Sequence, residues 1–198
     1  MSSKSTIPGY THGAPTVPRA SISLEEFELL KKTVLFTDED VTALQQSKAV
    51  VQGQVEAILD VWSGFVGSNP HLVQTFTRVS DGKPDMDYLG AVRKRFGQWI
   101  LDTASAQYDQ TWLDYQFEIG RRHHRIGKNA TDKVAAVPHI PFRYLPALLY
   151  PVTATLRPFL EKQGHSPAEV GAMHQAWIKS VLLQVILWSY PYVKEGDY

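Results

Sequence analysis

Apolar residues in this chain recur at spacings of three and four, and no strand-length run alternates apolar with polar. Three-and-four spacing lays one face of an α-helix against a core, whereas alternation would mark a half-buried strand. Val55, Ile58, Leu59, Trp62, Phe65 and Val66 illustrate the pattern. The spacing predicts an all-α fold, with no internal repeat and no low-complexity block.

Cap residues divide that pattern into helices. Ser23 with Glu26 forms a capping box before "LEEFELLKKTV", predicting a short helix over 24–34. Thr37 followed by "DED" puts acids at the positive end of the next helix, which runs on past a break near Gly53 to Val66. Asn69 and Pro70 cap "PHLVQTF", "SDGKPD" is a turn, and Met86 to about Thr103 is helical with Leu89, Val92, Phe96, Trp99 and Ile100 on one face. A helix beginning near Asp109 carries "FEIGRRHHRIG" and is followed by the loop "GKNATDKVAAVPHIP". The next helix, about Pro141 to Lys162, contains Pro146 and Pro151 and is expected to be kinked. Gly164 ends it, and "SPAE" starts the last long helix, which runs to about Trp188.

Residues 1–20 hold Pro8, Pro15, Pro18, Gly9 and Gly13 and are expected to be irregular. Their apolar anchors Ile7, Tyr10 and Val17 predict a lead segment packed on the body, which is a single domain over 21–198. A chain of 198 residues is long enough for one sizeable core. Twenty acids balance twenty bases, so bulk charge argues against nucleic acid as a partner. Without cysteine there are no disulfides, thiolate metal sites, iron–sulfur clusters or cysteine nucleophiles. The N-terminus lacks a signal-peptide core, and the most apolar stretch, Val181 to Trp188, is too short to span a bilayer. A cytoplasmic protein without a membrane partner is expected.

His123 and His124 stand side by side near the end of the helix that begins near Asp109. On a wheel of about 100° per residue, both fall in the broad arc that holds Trp112, Leu113, Phe117 and Ile119, while Asp114, Glu118, Arg121, Arg122 and Arg125 gather on the other side. Each histidine reads either as a half-buried residue bonded to a carbonyl or as a ligand. No His-Glu-x-x-His, paired Glu-x-x-His or cysteine cluster accompanies them. A lone histidine ligand on a helical scaffold suits iron held in a porphyrin, where the protein gives one axial bond. Five Trp, eight Phe and nine Tyr are available to line the apolar slot a porphyrin needs.

"IGRRH", Ile119 to His123, matches the Ile-Gly-x-x-His signature shared by globin-coupled sensors and protoglobins. "IPGY", "EAILDVWSGFVGSNPHL", "YLGAVRKRFGQWILDT", "WLDYQFEIGRRHHR", "RYLPALLYPVTATLRPFL" and "LQVILWSYPYVKEGDY" resemble protoglobins, in order, from about Ile7 to the C-terminus. The resemblance implies a globin fold with an extra N-terminal helix and a lead segment that helps bury haem b, iron protoporphyrin IX. It implies His123 as the proximal iron ligand, and Trp62 and Phe96 over the distal face. Ile140, Leu145, Leu148 and Val152 would line the rest of the pocket, Arg95 would meet a propionate, and Gly120 would let the porphyrin or a neighbouring helix approach closely. Members typically carry a tyrosine directly after the distal tryptophan. Here that residue is Ser63, whose shorter arm forgoes a hydrogen bond to bound O₂ worth about 1–3 kcal/mol.

The function so implied is reversible binding of O₂, CO or NO at a five-coordinate iron, by a carrier, scavenger or sensor. The alternative is haem-dependent chemistry, such as nitric oxide dioxygenation, peroxidase-like turnover or carbene transfer, in a distal pocket opened by Ser63. No catalytic residue is assigned, since Trp62, Ser63 and Phe96 offer no distal acid–base group. No transmitter segment is expected after the last helix, so a reductase or signalling partner would be a separate protein. A homodimer through the C-terminal helices is the expected assembly.

Overall fold

Ser23 and Glu26 cap each other's backbone N–H at 3.2 and 2.7 Å, and α1, Leu24–Thr33, starts there. The same reciprocal box, Ser166 with Glu169, starts α8, Pro167–Trp188. The Asp40 carboxylate accepts from Thr37 N–H at 2.9 Å at the head of α2, Asp38–Val51. Around Gly53 the helix breaks into a turn, and α3, Val55–Gly67, follows as a separate element. The remaining helices are α4, Pro70–Val73; α5, Met86–Ser105; α6, Gln110–His123; and α7, Tyr144–Leu160. Short 3-10 turns close α4, α7 and α8, the last over Tyr190–Tyr192.

The computed structural model describes residues 7–194 and 196–198. Among them there is no strand, only two isolated bridges, Thr77 with Pro84 and Arg78 with Ala136. The fold is therefore all-helical.

Helix α8 is the axis of the packing and lies against α2, α5, α6 and α7. Met173, Trp177, Leu183 and Leu187 along it are fully buried. The apolar stretch Val181–Trp188 belongs to a longer segment, 167–192, that by length and composition alone could cross a membrane. More than half of that window is buried inside the protein, so its apolarity is used by the core. Pro146 falls in the first turn of α7, where an N–H has no helical partner. Pro151 and Pro158 lie inside it.

The lead segment crosses the body rather than leaving it; its first six residues lie outside the described part of the chain. Tyr10 donates its hydroxyl to Asp102 at 2.7 Å and sets its ring edge-on to Tyr115 at 5.4 Å. Ala20 N–H donates to Asp114 at 2.9 Å. Arg95 of α5 and Arg122 of α6 donate to the Pro8 and Gly9 carbonyls at 2.9 and 2.6 Å. Gly9 takes a φ of +73°, and a Cβ there would sit 2.6 Å from both the Arg95 guanidinium and the Thr131 methyl. Only glycine fits that crossing.

Arg95 also forms a two-pronged pair with Asp132, at 2.9 and 2.6 Å, with both side chains under 15% exposed. One residue thus joins α5, the loop after α6 and the lead segment. Removing one partner of a buried pair strands the other charge. Arg95→Met is expected to lower unfolding free energy by about 3 kcal/mol and to open residues 7–12 to protease, read by urea titration and limited proteolysis.

Candidate functional site

A cavity of about 740 Å³ lies among α3, α5, α6, α7 and α8, in the size range of pockets for organic ligands and cofactors. Helices α3 and α5 contribute Leu59, Trp62, Phe96 and Trp99 to its lining. Helices α6 and α8 contribute Ile119, His123, Val185 and Trp188. Ile140 and the α7 residues Leu145, Leu148 and Val152 complete an apolar wall. Tyr10, Arg95, Asp102 and Arg122 make one part of the lining polar.

His123 is the last residue of α6. Its Nδ1 lies 2.8 Å from the Ile119 carbonyl. A carbonyl can only accept, so Nδ1 carries the proton and Nε2 keeps a free lone pair. Burial lowers the pKa of the imidazole, against the Ile119 bond, with Lys128 and Arg122 acting in the same direction as burial. The ring is therefore neutral near pH 7, the state that binds a metal ion. The indole of Trp188 stacks on it, with centroids 5.3 Å apart and planes 15° apart.

His124 does not share the helix. It is the C-cap, extended at φ −93° and ψ 158°, and its N–H reaches back to the Gly120 and Arg121 carbonyls. This corrects the wheel, which assumed that helical turning continued through both histidines. The ring of His124 meets His139 and Tyr192 at 5.0 and 4.9 Å, and none of these three lines the cavity. His71, set against Tyr144 at 5.5 Å, also lies outside the lining.

Trp62 and Phe96 belong to an aromatic row: Phe65 to Trp62 at 5.2 Å, Trp62 to Phe96 at 5.6 Å, and Phe96 to Trp99 at 5.2 Å. Ser63 lines the cavity but is largely exposed. Its Oγ accepts from Arg93 of α5 at 2.8 Å, and the same guanidinium donates to Glu56 at 2.9 Å and Asp60 at 2.7 Å. Sequence reasoning missed Arg93. The signal lay in the spacing of Glu56, Asp60 and Ser63, which puts three acceptors on one face of α3.

Two further expected site residues have other duties in the structure. Arg95 lines the cavity, but its donors are engaged by Asp132 and the Pro8 carbonyl, so it is not a free cation. Gly120 is absent from the lining. A Cβ there would sit 2.9 Å from Trp188 Cα and 3.0 Å from the Trp188 carbonyl oxygen. Of the two neighbours proposed for Gly120, the one it admits is a helix, α8.

The donor set suits an iron porphyrin. One neutral imidazole with a free Nε2 stands in a broad aromatic and aliphatic cavity, and no group of three or more His, Asp or Glu side chains among the described residues could hold a bare ion. A family model described as Protoglobin matches residues 23–198. Among solved structures, the globin domain of the Geobacter sulfurreducens globin-coupled sensor is similar, with a TM-score of 0.66 and 17% identity over 84% of this chain and 97% of that one. No curated protein matches significantly.

Lys128, only 2% exposed, ties the loop after α6 to the Thr75 and Val137 carbonyls at 2.7 and 2.6 Å. Burial pushes its pKa down to about 8, partly opposed by Asp132. The unfolded chain, titrating this amine near its ordinary 10.5, then binds more protons than the folded protein between those values. Stability from this residue rises with pH across that window and is flat below it. The unfolding free energy of the wild type, less that of Lys128→Met, is expected to increase from pH 8 to pH 10.5 in urea titrations.

Proposed function

The chain belongs to the protoglobin family, globins that hold haem and bind gas, and we propose that it holds haem b on His123 and binds O₂, CO or NO under Trp62 and Phe96. The observation that carries this reading is the placement of His123: half-buried, lining the cavity, with Nδ1–H committed to Ile119 and Nε2 free. A carbonyl partner on the second nitrogen is the usual support of a metal-ligating histidine, because it fixes the tautomer and strengthens the donor. Haem held there would supply an iron atom able to take a diatomic ligand.

Around that group the chain's own residues divide the work. His123 binds, Ile119 orients it, and the Trp62–Phe96–Trp99 row excludes water from the ligand's side. Ser63 offers little to a bound ligand because its Oγ faces the Arg93 guanidinium at the cavity mouth. Pairing of two copies through the C-terminal helices would cover Tyr150 of α7 and Leu182 of α8, apolar residues that the single chain leaves exposed. We place the protein in the cytoplasm, with any reductase or signalling partner as a separate chain.

Two experiments test the reading. Purified ferrous protein is expected to show a Soret band that shifts with CO, that disappears in His123→Gly, and that returns when imidazole is added. His124→Ala is expected to keep the band; loss there with retention in His123→Gly would move the ligand one residue along. The second concerns Ser63→Tyr, which places a phenol hydroxyl where the family usually has one. A gained hydrogen bond of about 1–3 kcal/mol slows O₂ release roughly 5- to 150-fold, with CO release little changed. An unchanged O₂ off-rate in stopped flow would show that position 63 does not address the ligand.

A further inference from the structure

His123 has one torsion left to settle. The bond from Nδ1 to Ile119 selects the tautomer, but the outer torsion of an imidazole is soft and broadly two-fold. A single hydrogen bond to a carbonyl one turn back restrains that torsion only within the tolerance of the bond. The plane it adopts determines how the ring projects onto a porphyrin, and hence which iron orbitals it overlaps.

Trp188 is seated on the same face of α6 by three contacts. Its backbone rests on Gly120, where any Cβ would lie 2.9 Å from Trp188 Cα. Its indole Nε1–H donates to the Gln116 side-chain oxygen at 2.9 Å, and Gln116 is only 2% exposed. Its ring lies over His123 at 5.3 Å and 15°. Gln116, Ile119, Gly120 and His123 are spaced so that they follow one edge of the helix. Trp99 supports the indole from another side, with centroids 6.2 Å apart.

We infer that Trp188, anchored by Gly120 and Gln116, is the positioning residue that fixes the ring plane of His123, and with it the azimuth at which the imidazole meets the iron. The inference rests on His123 being the haem ligand. Gln116 acts only through Trp188, so it is a buried amide whose purpose is orientation two contacts away. The glycine of the Ile-Gly-x-x-His stretch serves the same seat.

The test is proton NMR of the haem-loaded, ferric, cyanide-treated protein, in which the order of the four haem methyl shifts reports the azimuth of the axial imidazole. Trp188→Leu removes the stacked plane; Gln116→Leu keeps the indole but removes its anchor. Both are expected to change the order of the methyl shifts or to split each into two sets. Leu113→Ala, a fully buried α6 substitution outside the cavity lining, is expected to lower stability and leave the order unchanged. If Trp188→Leu does not retain haem, Gln116→Leu decides. Wild-type methyl order in Gln116→Leu, or in Trp188→Leu where it is loaded, overturns the inference. A Soret band surviving in His123→Gly would instead overturn the ligand assignment beneath it.

Discussion

The end of helix α6 is the constraint on which the rest of the cavity depends. The helix stops at His123, and the chain turns out of it through an extended His124. That exit gives the freed His123 carbonyl a new donor, Ile140 N–H at 3.1 Å, and so brings Ile140 to the cavity wall. Gly127 makes the turn tight: a Cβ there would lie 2.8 Å from the Arg121 carbonyl oxygen. Were the helix to run one more turn, Ile140 would lose its acceptor. Lys128 would no longer reach the Thr75 and Val137 carbonyls. Which histidine faces the cavity, and the shape of the pocket, therefore follow from one helix terminus.

The polar part of the cavity obeys a second rule: Arg95, Arg122 and Asp102 are engaged by partners within the protein. Arg95 takes Asp132, Arg122 takes Glu118 at 2.9 Å, and each adds a lead-segment carbonyl. Tyr10 closes the set by donating to Asp102, whose other oxygen accepts from Gln98 at 2.8 Å. Desolvating ion pairs is costly unless their remaining donors are met, and the lead segment meets them with backbone oxygens. Residues 7–12 are thus held as the acceptors that two half-buried arginines require. That gives this proline- and glycine-rich stretch a reason to be ordered without secondary structure.

Much of the fold was legible in the sequence because its signals are local. The boxes at Ser23 and Ser166, the glycine at 164 with φ +74°, and three-and-four spacing all act within one or two turns. The candidate site was less legible because its decisive contacts are long in sequence. Arg93 finds Ser63 across 30 residues, Arg95 finds Asp132 across 37, and Arg122 finds Gly9 across 113. A wheel can place Arg95 on a helix face but cannot see the carboxylate that engages it. The helix exit at His124 was hidden for a different reason. Nothing in "RRHHRIG" breaks a helix before Gly127, and the exit one residue after His123 is stabilised by tertiary partners, His139 and Tyr192.

Helix α8 shows how an element apolar on nearly every side still finds one rotation. Hydrophobic burial alone is non-directional, and a helix of this composition could turn about its axis with little change in buried area. Two polar residues inside it forbid that. Gln184, fully buried, accepts from Trp99 Nε1 and donates to Thr103 and Ser180 at 3.2 Å each. Ser180, also fully buried, accepts from Tyr108 at 2.9 Å. Turning α8 by one residue would leave that amide and hydroxyl unpaired in an apolar interior, at about 1–3 kcal/mol each. Trp188 lies one helical turn beyond Gln184, so the same rotation would carry its indole off His123 and off Gln116. This buried polar network, which has no hydrogen bond to the imidazole, is what keeps α8 in the register that puts a tryptophan against the histidine.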